Sequence, residues 1–464
     1  MRAAEDNSSA ELSSIQVDVI EPGARERKGW LRCEIGTNLA FKTEKMESYF
    51  FAQWKPVLYD ALLVAAAVEF CDKTKRRPVH AWARHIELRI PVHEPDRWNE
   101  KDVNATLHDT LNFLTGDVWQ IDFYSRKNTE SAPRQGHMSL GNHVSAVIPF
   151  SEGLDSRAVA GIMGKKLGNE LVRVRLGTKA FDSGKFLRRR QPFTSVPYDV
   201  NQGEKRFVES SARSRGFKFA LISGLAAYLA DAHRIIVPES AQGALGPTLV
   251  PVGQAYVDYR SHPLFTGRLE KFLLALLGYP VKFEFPQLWQ TKGETLKEFV
   301  ANCEDGQAWV STWSCWQQNR QVSVDHKKRQ CGICASCMLR RLSVHAAGLS
   351  EPKTTYVWEN LNADNFEAGA ATSFDRMKIT GAMHEYAIAG TLYLDHLATM
   401  RHSRANERTI ALSAFQLSRA CDLPGAVASA RLNRALSQHE AEWKSFMSSL
   451  GQSSFVANWT NNVP

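Results

Sequence analysis

The sequence predicts an α/β fold: a parallel sheet with helices on both faces, set between an N-terminal mixed α/β unit and a C-terminal group of helices. Three observations predict it. From residue 144, short β-rich runs alternate with apolar helical stretches, an order that needs a sheet covered on both faces. The first 140 residues instead carry strands in which apolar and polar residues alternate. From about residue 350 the apolar spacing is helical.

The elements follow in order. Residues 1 to about 45 hold short alternating stretches and the charged run "EPGARERKGW", read as edge strands or a partly mobile arm. Residues 47–72 read as a helix. "HIELRIPV" (85–92) and "DVWQIDFY" (117–124) read as half-buried strands, with Trp119, Ile121 and Phe123 on one face. The Ser-, Pro- and Gly-rich stretch 125–142 is the expected boundary. Three domains follow: 1–140 accessory, 141–345 central and 346–464 helical. In the central part, strands are expected at 144–149, 170–177, 193–200 and 234–240. Helices are expected after Asp155 and over 217–232. In the last part, "GAMHEYAIAGTLYLDHLATM" and "ARLNRALSQHEAEWKSFMSSL" carry helical stripes, and "SSLGQSSFVANWTNNVP" reads as a loosely held tail.

The chain has 464 residues, 44% of them hydrophobic, and a net charge of +8. That excess suits a nucleotide, a nucleic acid or an acidic protein, and selects none of them. The N-terminus lacks the apolar core of a secretory signal, and no apolar run reaches the length of a membrane span. A cytoplasmic protein with no membrane partner is expected. The basic stretches 185–193 and 325–330 lack aromatic interleaving, so solvated loops are expected and a nucleic-acid partner is not.

Two motifs carry chemistry. "SEGLDS" (Ser151, Glu152, Gly153, Leu154, Asp155, Ser156) joins a buried strand to a helix start, where backbone N–H groups and the helix dipole favour an anion. No Gly-Lys-Ser/Thr follows, so it is not a Walker A loop. "TWSCWQQNRQVSVDHKKRQCGICASCMLRR" supplies Cys315, Cys331, Cys334 and Cys337. Four thiolates suit tetrahedral Zn²⁺ in a closed, structural site. An iron–sulfur cluster and a redox Cys-x-x-Cys pair stay open as alternatives. His326 is expected to be solvated, and Cys33, Cys71, Cys303 and Cys421 to be small buried hydrophobes.

Ser-x-Gly-x-Asp-Ser after a first buried strand resembles the loop of the PP-loop ATP pyrophosphatases, which split ATP between the α and β phosphates. Further segments resemble one branch, the 7-cyano-7-deazaguanine synthase (QueC) family. They are "SRGFKFALISGLAAYLADA" (214–232), "IIVPESAQGALG" (235–246), "FPQLWQTKGETLKEFV" (285–300) and "TWSCW" with its three later cysteines. Together they cover roughly residues 144–345. The flanking parts look more like the QueC-like proteins of bacterial anti-phage operons (QatC and a related protein of some CBASS systems).

The resemblance implies a Rossmann-like fold and an ATP-dependent ligase or synthase. It would activate a 7-deazaguanine carboxylate as an acyl-AMP, release pyrophosphate and form an amide with an amine. In the defence branch, a protein amine is the implied replacement for ammonia. The implied cofactors are ATP, Mg²⁺ and Zn²⁺. Residues 151–156 would cradle phosphate. Asp155 would hold Mg²⁺ or cap its helix, the cap being the reading for that residue taken alone. Arg215 and Lys292 would clamp phosphate, and Glu239 would accept N–H bonds from a guanine-like edge.

Glu152 departs from the family's Gly-Gly. A positive φ there would strain it by about 1–2 kcal/mol. The favoured reading is that Gly153 alone needs special backbone while the side chain of Glu152 turns outward. Mg²⁺ binding by Glu152 and loss of catalysis are the other readings. The rival functions are an ammonia-using nitrile synthase, a non-catalytic nucleotide-binding subunit of a defence complex, and an adenylating enzyme acting on tRNA.

Overall fold

The computed structural model describes residues 13–41, 55–77, 83–128, 143–176, 193–196, 198–209, 213–251, 256–317 and 322–461. Residues 47–54 of the first expected helix, most of the expected boundary at 125–142 and most of the basic stretch 185–193 lie outside these.

The N-terminal part contains β1 (Ser13–Ile20), β2 (Leu31–Glu34), β3 (Leu39–Phe41), α1 (Pro56–Thr74), β4 (Arg84–Val92), α2 (Pro95–Asn99), α3 (Lys101–Thr115) and β5 (Val118–Ser125). Four strands form a parallel sheet in the order β2-β1-β4-β5. The alternation seen in the sequence sorts its two faces. Val17, Ile86, Leu88, Trp119, Ile121 and Phe123 enter the core. On the other face Arg89 bridges Asp18 and Asp122, each at 3.2 Å. Helix α1 is apolar around nearly its whole circumference because it packs against β4 on one side and the central part on the other.

The central part adds β6 (Ala146–Pro149), α4 (Leu154–Leu167), β7 (Leu171–Leu176), β8 (Phe193–Val196), β9 (Tyr198–Val200), α5 (Arg215–Leu229), β10 (Arg234–Ile236), α6 (Ala241–Ala244), α7 (Gly246–Leu249), α8 (Pro263–Leu277), β11 (Lys282–Glu284) and α9 (Lys292–Asn302). Its parallel sheet has the order β11-β10-β6-β7-β8. Both faces are covered, and successive residues of β6 show how. Ala146 and Ile148 meet Val159 and Met163 of α4, while Val147 joins the core of α5 with Phe217 and Leu221. The first strand, β6, lies in the middle and the order reverses between β6 and β10. In open α/β sheets that reversal opens a crevice beyond the strands' carboxyl ends.

One expected strand is corrected. Residues 193–200 divide into β8, on the parallel sheet, and β9, which pairs antiparallel with β3 of the N-terminal part. The sequence has Pro197 between them, a residue with no N–H to donate to a ladder.

The remainder holds a hairpin of β12 (Ser323–Val324) and β13 (Lys327–Lys328), then α10 (Ala335–Ala346), α11 (Gly381–Thr399), α12 (Arg404–Ala420), α13 (Gly425–Leu450) and α14 (Phe455–Asn461). Residues 455–461 are not a loose tail. Phe455 of α14 meets Phe366 edge-on at 5.7 Å, and Phe455 and Val456 are buried in one core cluster with Trp358, which removes their apolar surface from water. Cys33 and Cys71 are buried as expected, but Cys303 and Cys421 are only half-buried. Among the described residues no helix is long and apolar enough to cross a membrane.

Candidate active site at the reversal of the sheet

The loop between β6 and α4 opens into the crevice. Ser156 Oγ accepts the N–H of Ser151 at 2.8 Å, and Ser151 Oγ accepts the N–H of Gly153 at 3.2 Å. The two hydroxyls thus fold the loop back on the helix start. The first N–H groups of α4, at 154–156, have no carbonyl one turn earlier within the helix. They form the positive end of its dipole.

Two expectations about this loop are corrected. Gly153 has φ −73° and ψ 155°, an extended backbone open to any residue. Neither Gly153 nor Glu152 has a positive φ, so Glu152 carries no backbone strain. Its side chain does turn outward, where its Oε1 accepts from Arg175 Nη2 at 2.6 Å. Arg175, the penultimate residue of β7, is buried. Its cation offsets the carboxylate that would otherwise oppose an anion at the loop. Asp155 is not a helix cap either. The N-cap is Gly153, and no side chain caps α4.

Asp155 instead meets a residue 137 positions away. Lys292 Nζ lies 2.5 Å from Asp155 Oδ2, and both side chains are largely buried. Lys292 is held from behind. It is the first residue of α9, whose N-cap Thr291 forms a capping box with Glu294. Its N–H donates to Gln242 Oε1 at 2.6 Å. The other oxygen of Asp155, Oδ1, is buried without a hydrogen-bond partner among the described residues. A buried carboxylate oxygen left this way costs free energy unless something binds it. With a cation already on Oδ2, this donor suits Mg²⁺, which prefers carboxylate oxygen.

Glu239 sits just past β10, across the reversal from the loop. Its carboxylate makes no side-chain hydrogen bond or ion pair among the described residues. Burial, and next the charge of Asp155, push its pKa up to about 8, against the opposing pull of Lys292 and Arg260. Space for it depends on Gly243 in α6, where a Cβ would come within 2.0 Å of Glu239 Oε2. Arg215, at the start of α5, is exposed and lies over Phe219 at 5.4 Å. It is close enough to Glu239 and Arg260 to feel their charge. The structure therefore gathers Asp155, Lys292 and Glu239, with Arg215 nearby.

The neighbouring parts hold these groups in place. Asp72 of α1 accepts the N–H of Ser214 at 2.8 Å, one residue before Arg215. Asp72 is itself buried with Arg84 and Arg77, which keep its carboxyl below the usual range although burial alone would raise it. From the C-terminal helices, His439 bonds Gln242 at 3.2 Å and Leu394 O at 2.9 Å. Burial lowers its pKa to about 4, so it is neutral at pH 7 and its Nδ1 can accept from Gln242. Tyr393 Oη donates to Gln242 O at 3.2 Å. A separate polar cavity of about 450 Å³ lies between α9 and α13, lined in part by Glu294, Glu298 and Glu442. The sequence-predicted site residues do not line it.

Cys315, Cys331, Cys334 and Cys337 are buried together, with their Sγ atoms all within 4.8 Å of one another. Cys331 and Cys337 Sγ are 3.8 Å apart. Four sulfurs at about 2.3 Å from one ion, at the corners of a tetrahedron, stand about 3.8 Å from each other. That spacing is far longer than a disulfide's, about 2.05 Å. The N–H groups of Cys331 and Gln317 point at Cys315 Sγ, and that of Cys334 at Cys331 Sγ, as suits thiolates. The donor set fits Zn²⁺ and leaves no position for a reactant. His326 is exposed and not part of the cluster.

Fold and site define a class: an open α/β sheet with a Ser/Gly loop at a helix N-terminus, an acid–lysine pair and a second carboxylate around the reversal of strand order. The comparisons narrow it. Residues 253–348 match the family model described as Queuosine biosynthesis protein QueC. Lys292 and all four clustered cysteines fall inside this match, while residues 151–156, Arg215 and Glu239 fall outside it. The chain is also similar to 7-cyano-7-deazaguanine synthase of Acinetobacter baylyi, 28% identical over 157 residues, which is 27% of this chain and 64% of that protein. The alignment thus spans a little under two thirds of the relative's length. No solved structure matches.

Not read from the sequence are Arg175, Gln242, His439, Asp72 and the bond from Trp313, whose backbone N–H donates to Glu152 O at 2.8 Å. Arg175 had a faint signal as a charge near the end of a strand beside the loop strand. The others contact the site only through the fold.

Proposed function

We propose that this protein is an ATP-dependent adenylating enzyme of the QueC-like, PP-loop kind. It activates a 7-deazaguanine carboxylate as an acyl-AMP with release of pyrophosphate, and then forms an amide with an amine. The observation that carries the reading is the buried Asp155–Lys292 pair beside the anion loop, with Asp155 Oδ1 still unpartnered. Breaking ATP between the α and β phosphates builds charge on the leaving pyrophosphate, and preorganised donors and cations stabilise it. The Ser151–Ser156 loop takes phosphate oxygens. Lys292 and Arg215 clamp them. Mg²⁺ held at Asp155 supplies further neutralising charge. Glu239, once ionised, accepts from the N–H edge of the deazaguanine.

The division into 1–140, 141–345 and 346–464 is part of the proposal. So are a protein amine as acceptor, a cytoplasmic setting and a role in anti-phage defence. The protein amine and the defence role rest on the resemblance of the flanking parts, the division on the changes in sequence texture, and the cytoplasmic setting on the sequence's lack of a secretory core or membrane-length apolar run. The test is exchange of labelled pyrophosphate into ATP. Exchange that depends on the 7-carboxy-7-deazaguanine acid supports reversible acyl-adenylate formation. No exchange, in protein that binds ATP, would favour a non-catalytic nucleotide-binding subunit.

A further inference from the structure

The segment leading into the four-cysteine centre touches the anion loop. Trp313, two residues before Cys315, donates its backbone N–H to Glu152 O at 2.8 Å. The segment carrying Trp313 is tied to the cysteine element from several sides. Gln330, the neighbour of Cys331, accepts the N–H groups of Ser314 and Cys315 on its Oε1, at 2.8 and 3.2 Å. Arg340 of α10, fully buried, donates to Thr312 Oγ1 at 2.6 Å and to Trp309 O at 3.2 Å. Helix α10 begins at the Cys334 cap and carries Cys337 in its first turn.

The carbonyl that Trp313 holds belongs to the Glu152–Gly153 peptide. In a trans peptide the C=O and the following N–H point in opposite directions. Fixing Glu152 O toward Trp313 therefore aims the Gly153 N–H back at the loop, where Ser151 Oγ receives it. The side chain of Glu152 is held as well, by Arg175. Main chain and side chain are thus clamped by different elements.

We infer that Trp313 is a positioning residue that couples the metal centre to the anion loop. An ion on the four thiolates fixes Cys315 and so the Trp313 N–H, and this sets the Glu152–Gly153 peptide plane. Loss of the ion frees that plane. The inference rests on the nucleotide reading only for what the loop binds; the coupling is a property of the chain itself.

The test uses the full chain with its metal content measured. Hydrogen exchange is followed by mass spectrometry in peptides spanning 150–157, before and after removal of metal by a chelator. Trp313→Pro, which deletes only the N–H among backbone groups, is compared with Trp313→Ala, which keeps it. Thr312 has ψ 152°, a conformation that accepts a following proline. Faster exchange at 150–157 is expected in the stripped protein and in metal-loaded Trp313→Pro, but not in Trp313→Ala. Pyrophosphate should bind about tenfold more weakly to the first two, the scale of one lost hydrogen bond. Unchanged exchange at 150–157 in metal-loaded Trp313→Pro would overturn the inference, whatever stripping does to the rest of the fold. If metal-loaded wild type binds neither pyrophosphate nor ATP, the nucleotide reading falls, and the exchange result still decides the coupling.

Discussion

A glutamate occupies the position where the resembled loop has its first glycine, and the structure gives it ordinary backbone and a partner. Because Glu152 has no positive φ and pairs with Arg175, it is neither strained nor an uncompensated charge. Glu152→Gly should therefore cost little stability, within about 1 kcal/mol, since the Glu152 carboxylate is half-exposed and its charge screened. Thermal denaturation checks this; a large loss would mean that Glu152 has a structural role beyond the pair. Glu239 is a carboxylic acid whose charge changes near neutral pH. Its folded pKa, about 8, lies above the ordinary 4.5, so the ligand-free folded state keeps a proton that the unfolded state has lost. That contribution to stability is full below about 4.5 and is lost as pH rises toward 8. A ligand that needs the ionised form should bind more tightly as pH rises from 6 to 8, by at most about tenfold per unit. Calorimetric titration with the deazaguanine acid, in wild type and Glu239→Gln, measures this. A flat profile in wild type would remove Glu239 from the recognition role.

At the scale of elements, the sheet strands and the loop were legible because their signals are local. The apolar run before Ser151, the Ser/Gly turn and the helical spacing after it all lie within about twenty residues. The cysteine spacing was legible for the same reason. The Asp155–Lys292 pair was not, since strand order and helix placement bring together residues 137 positions apart. Asp155 taken alone looked like a cap; its true partner is visible only after folding. The short helix α14 is not legible because its polar surroundings in the sequence hide the burial of Phe455 and Val456 in the cluster of Phe366. Gly243 illustrates how an element serves a single side chain. A methyl there meets the flexible end of Glu239 rather than backbone. Gly243→Ala should leave stability within about 1 kcal/mol. It should raise the KM for the deazaguanine acid about tenfold, while ATP binding stays near wild type. Steady-state kinetics against each substrate separates the two. An equal loss for both would point to general disturbance of the crevice.

The whole molecule surrounds one crevice from three directions. The N-terminal part reaches the segment before Arg215 through Asp72. The C-terminal helices reach Gln242, and through it Lys292, by way of His439 and Tyr393. The cysteine element reaches the loop through Trp313. Each connection is a hydrogen bond between parts distant in sequence, and none could be read from composition or periodicity. The flanking parts therefore act on the site's geometry, whatever partners they also meet. If this crevice activates a carboxylate with ATP as proposed, Asp155 and Lys292 carry that step. The most direct measurement is pyrophosphate release from ATP and Mg²⁺ with 7-carboxy-7-deazaguanine, in wild type, Asp155→Ala and Lys292→Met. Release in wild type is expected to require the acid, and to fall at least a hundredfold in either variant, the scale of losing one group aimed at developing charge. Release that persists unchanged in both folded variants would contradict the proposal.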